Sequence, residues 1–116
     1  MNIDELTNRI RKVSSEKNVQ NLAELIQQWK TNDKNAIELK KNIERYFENE
    51  LIDKKSDFEK VYGMWTDFRD SAIHGIGGMT MNERLYLFGL VNLFDNSKNI
   101  LEREKFYKKL LAKNNV

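Results

Sequence analysis

Cysteine and proline are both absent from the 116 residues, and histidine occurs once. Without cysteine the chain can build neither a disulfide framework nor a thiolate metal site. At this length one domain can bury an apolar core without such staples. No charged-then-apolar leader opens the sequence, and no apolar run reaches the roughly twenty residues that span a bilayer. A cytoplasmic protein with no membrane partner is therefore expected. A large excess of charge is missing too: 20 Lys and Arg stand against 18 Asp and Glu, a net +2 that is too small to announce nucleic acid.

Motifs for chemistry are equally scarce. His74 has Asp70 one helical turn before it, and a carboxylate there could orient an imidazole as a general base. No serine or cysteine nucleophile accompanies the pair in a recognisable local motif, and a histidine in the last turn of a helix already interacts favourably with the helix dipole. Gly75, Gly77 and Gly78 could aim N–H groups at a phosphate, but they lack the preceding strand, the glycine spacing and the lysine of a phosphate-binding loop. Asp67, Asp70, Glu83 and Asp95 do not fall in a calcium-loop pattern. The expectation is a protein with no catalytic residue, no metal and no cofactor.

What the sequence has in quantity is helical periodicity. Ile3, Leu6, Ile10 and Val13 share one face of a segment from 4 to about 15. Val19, Leu22, Leu25, Ile26 and Trp29 repeat the pattern after a polar break, with Asn21 or Asn18 as its cap. Asn35 with Glu38 opens a third helix that runs to about residue 50. Ser56 with Glu59 opens a fourth by capping-box spacing, and Phe58, Val61, Tyr62, Trp65, Phe68, Ala72 and Ile73 line its broad face. Gly63 inside that helix costs about 1 kcal/mol relative to alanine, and marks either a close approach or a tolerated glycine. The glycines from 75 to 78 end it. A last helix from Ile100 to about Ala112 precedes a tail, Asn114 to Val116, that should fray. Together these predict an all-α, compact single-domain bundle of about five to six helices over residues 1–116.

The stretch from 75 to 95, GIGGMTMNERLYLFGLVNLFD, is the centre of this pattern. Thr80 and Glu83 form a capping box, so a helix should start at about Met81. Apolar residues then cover most of its circumference through Phe94, which predicts one central, buried helix of fifteen residues. Within it MTMNERL, followed by Gly89-Leu90 and Phe94-Asp95, resembles a C-terminal signature of small bacterial proteins. Proteins of this size and helical character also resemble immunity proteins of bacterial toxin systems, including contact-dependent growth inhibition. That resemblance implies a non-enzymatic protein that neutralises a cognate toxin by direct binding.

Thr80, Glu83, Leu85, Gly89 and Leu90 have structural tasks in this reading; Asn82 and Arg84 do not. Residues 56–95 carry six acidic and three basic side chains, and Asp67, Asp70 and His74 lie at the end of that helix. Asp67, Asp70, His74, Asn82 and Arg84 are the expected partner-binding residues. The alternative is a small regulatory or adaptor protein that binds nucleic acid or another protein through its basic C-terminal helix. There Lys105, Lys108, Lys109 and Lys113 cluster near Tyr107.

Overall fold

The computed structural model describes residues 1–113, so the fraying expected of 114–116 lies outside the described residues. The described chain is all-α. Its helices are α1 (Ile3–Val13), α2 (Lys17–Trp29), α3 (Ala36–Asn49), α4 (Lys55–Phe68), α5 (Met81–Leu87), α6 (Val91–Asp95) and α7 (Ile100–Lys109). A π-helical turn at Arg69–Ile73 continues α4, and a 3-10 turn at Ile76–Gly78 leads into α5. Among the described residues no helix is long and apolar enough to cross a membrane.

The helix starts follow local chemistry where a side chain can reach the free backbone N–H groups. Asn2 with Glu5, Asn35 with Glu38 and Thr80 with Glu83 each form a complete capping box. Two expected caps do not form. Helix α2 begins after Glu16 rather than at Asn18 or Asn21, and the Glu16 carboxylate instead accepts the N–H of Asp53 at 3.1 Å. Helix α4 begins after Lys54 with no side-chain cap, one residue before Ser56. Spacing makes a capping box possible; the incoming chain direction decides whether it closes.

Helices α1 and α2 pack as an antiparallel pair joined by residues 14–16, and α4 packs against α1. Ile3, Leu6, Ile10, Val19, Leu22 and Ile26 are fully buried between them. A row of rings continues this core. Trp65 meets Phe68 at 6.2 Å, Phe68 meets Phe88 at 5.6 Å, and Phe88 meets Trp29 at 5.3 Å between ring centres. Aromatic pairs at such distances add about 0.5–1.5 kcal/mol each beyond their burial. The Trp65 indole N–H is buried with no acceptor among the described residues, so ring packing has to offset about 1–3 kcal/mol of lost hydration.

The largest departure from expectation is in the central stretch. One helix from Met81 to Asp95 is not formed: α5 ends at Leu87, and Gly89 takes a left-handed φ of +64°. The Gly89 N–H donates to the Tyr86 carbonyl at 3.2 Å and the Leu90 N–H to that of Leu85 at 2.8 Å, the paired bonds of a Schellman stop. The apolar residues are then divided. Leu85, Phe88 and Leu90 are buried, whereas Tyr86, Val91 and Leu93 are exposed and α6 buries no side chain. Periodicity counted across the glycine merges two short helices of different direction into one apparent buried cylinder.

Candidate functional site

Three of the expected partner-binding residues come together. Asp67, Asp70 and His74 are exposed on one face at the end of α4 and along its π-helical turn. In that turn the His74 N–H reaches the carbonyl of Arg69, five residues back, at 2.9 Å. Such a wide turn often marks a functional position. It also places Ala72 and Ile73 in the core, consecutively, while their neighbours Ser71 and His74 face outward.

Asp70 is held from both sides. Its Oδ1 accepts from Arg69 Nε at 3.0 Å and lies 3.1 Å from His74 Nδ1, and Arg69 also donates to Glu44 of α3 at 3.1 Å. The Asp70 hydrogen bond, joined by that of Glu44, holds the Arg69 pKa above its usual value against the opposing effect of burial. Arg69 is thus a brace for the acidic ridge. Its bond to Glu44 joins residues far apart in the sequence, and no local pattern announces it.

Asn82 and Arg84 part company. Asn82 is exposed on the first turn of α5. Arg84 is only 9 % exposed and does have a structural task. Its Nε donates to the Met79 carbonyl at 3.2 Å and its NH1 to the Leu110 carbonyl at 2.9 Å, which ties α5 to the end of α7. With the Thr80 cap at its start and Gly89 at its stop, MTMNERL…GL is a complete, self-terminating helix.

A second region lies between the α2–α3 connection and the α6–α7 hairpin. It is a groove of about 730 Å³, lined on one side by Asn32, Asp33 and Glu38 and on the other by Leu93, Lys105 and Phe106. At its base Lys109 is buried. Its Nζ donates to the carbonyls of Asn32 and Lys34 at 2.7 and 2.8 Å and lies 4.2 Å from the centre of the Trp29 ring. Burial pushes its pKa down to about 8, against the charges of Asp33 and Glu38, so near neutral pH it remains an ammonium. Sequence reasoning grouped Lys109 with the exposed tail lysines. Its three acceptor contacts lie 75 and 77 residues away, beyond the reach of any helical pattern.

Of the remaining tail cluster, Lys105, Lys108 and Lys113 are exposed, while Tyr107 is half-buried against Phe94 at 6.1 Å. No group of three or more potential metal ligands is assembled among the described residues. Compared with models of known families, with curated proteins and with solved structures, the chain matches none.

Proposed function

We propose that the chain is a non-enzymatic bacterial binding protein, an immunity protein that neutralises a cognate toxin in the cytoplasm by covering or distorting its active surface. The observation that carries this reading is the braced acidic ridge of Asp67, Asp70 and His74, with Asp70 fixed by Arg69 and Arg69 by Glu44. A charged surface already held in one arrangement loses little conformational freedom on binding. Its sign suits a cationic partner surface, such as the substrate face of a nuclease. Asn82 is the further exposed polar residue of the same proposal, whereas Arg84 acts on the partner-facing side only through the fold it holds.

The test is co-expression with the product of the adjacent gene, followed by affinity capture and a growth assay. The proposal expects co-purification, protection of the cells, and an affinity lowered on the order of tenfold or more by D67N with D70N. Absence of both capture and protection rejects it. A second reading, binding of nucleic acid or another protein through the basic C-terminal helix, is favoured by the exposed Lys105 and Lys108 beside the groove. It expects affinity for nucleic acid to fall steeply with salt; no binding at low salt removes the nucleic-acid form of it.

A further inference from the structure

We propose that α6 and α7 form a strap that opens as a unit, hinged at Gly89 and latched by Lys109, while α1 to α4 stay folded. The two helices pack on each other through a cluster of their own. Phe94 meets Phe106 at 5.7 Å and Tyr107 at 6.1 Å, with the Arg103 guanidinium 5.8 Å from the Phe94 ring centre. Towards the body the strap is held most tightly near its ends, with only the half-buried Phe94 and Phe106 packed against the core between them. Helix α6 buries no side chain, and Ile100 and Leu101 at the start of α7 are 66 % and 73 % exposed.

The leading attachment is the left-handed turn at Gly89 with the buried Leu90. The trailing one is the last turn of α7. There Lys109 donates to Asn32 and Lys34, Leu110 is buried, and the Leu110 carbonyl accepts from Arg84. Between the two attachments the strap borders the 730 Å³ groove, and half-buried Phe94 and Phe106 are its apolar contacts there.

The chemistry of the latch differs from that of the core. Opening exchanges the Lys109 and Arg84 contacts for water, where the freed ammonium, guanidinium and carbonyls are hydrated, and exposes apolar surface at Leu110, Phe106 and one face of Trp29. Separating α1 from α2 exposes the fully buried Ile3, Leu6, Ile10, Val19, Leu22 and Ile26, a larger apolar surface with no hydrated group to offset it. The strap therefore opens at lower free energy than the body, as a local unit. Opening bares the face of Trp29 and turns the groove into a wider cleft that includes Phe106.

Hydrogen exchange on the full chain tests this, read by segment. In the wild-type protein, amides of α7 should exchange at least about tenfold faster than the core amides of α1 and α2, with a weaker dependence on added denaturant. Lys109→Met should speed exchange across α7 by a further factor on the order of 10–100 while α1 and α2 are unchanged. Equal protection and equal denaturant dependence of α7 and α1 overturn the proposal. So does a Lys109→Met variant that leaves α7 unaffected or speeds every helix alike. If that variant does not fold, the wild-type comparison decides on its own.

Discussion

Replacing Gly89 by alanine separates the two descriptions of the central stretch by sign. In one continuous helix from 81 to 95, alanine would stabilise by about 1 kcal/mol relative to glycine. In the structure Gly89 has φ +64°, and an added Cβ would lie 2.8 Å from Asp4 Oδ2 and 3.0 Å from Ile3 Cγ2. The left-handed angle costs an alanine about 1–2 kcal/mol. The overlap adds about 1–3 kcal/mol, because Asp4 cannot swing aside freely. Its Oδ1 accepts from Lys30 Nζ at 2.8 Å and from Gln27 Nε2 at 3.0 Å. Gly89→Ala should therefore destabilise by about 2–5 kcal/mol in urea denaturation followed by tryptophan fluorescence.

Asp4→Ala removes one of the two close contacts, so in that background the Gly89→Ala penalty should shrink by about 1 kcal/mol or more. Gly63 supplies the internal control. It sits within α4, and nothing lies within 4 Å of a Cβ built on it, so Gly63→Ala should stabilise by about 0.5–1 kcal/mol. A Gly89→Ala protein as stable as wild type, or more so, would refute the break and restore the single helix.

Leu111 occupies the same left-handed position at the end of α7, with φ 56°; its N–H donates to Lys108 and that of Ala112 to Tyr107. Leu111→Gly should stabilise by about 0.5–1 kcal/mol through relief of that angle, and a loss of stability in thermal unfolding would contradict this. Thr80→Ala should cost about 1 kcal/mol, while Ser56→Ala, at an unformed cap of the same spacing, should stay within about 0.5 kcal/mol; equal effects would show that spacing alone decides. Burial alone would raise the Asp4 pKa, but the hydrogen bonds from Lys30 and Gln27 outweigh it and lower the value. The stability that Asp4 contributes relative to Asp4→Asn is thus complete above the unfolded value of about 3.9. It should be lost as pH falls through the lower folded value. Denaturation curves of the two proteins at several pH values check this, and a difference that stays constant under acid would contradict it.

Much of the fold is legible without coordinates because it is written at short range. A helix needs a partner for its first N–H groups and an apolar stripe at 3.6-residue spacing, and both are local. So Asn35 with Glu38, Thr80 with Glu83 and the faces of α1 to α4 can be read directly from residue order. The acidic ridge is legible to the same degree, since Asp67, Asp70 and His74 recur within two turns. Its brace is not, because Glu44 lies on another helix.

By itself, then, the sequence determined the all-α class, most helix starts and the candidate face at the end of α4. Only tertiary structure decided the inward turn of Arg84 and the burial of Lys109, whereas the division of 81–95 into two helices rests on the local stop at Gly89, which apolar periodicity does not register. The first two depend on contacts with residues far away in the chain: the Leu110 carbonyl for Arg84, and the carbonyls of Asn32 and Lys34 over Trp29 for Lys109. A charged side chain takes up such carbonyls only where the fold has brought them within about 3 Å, and periodicity carries no information about that distance.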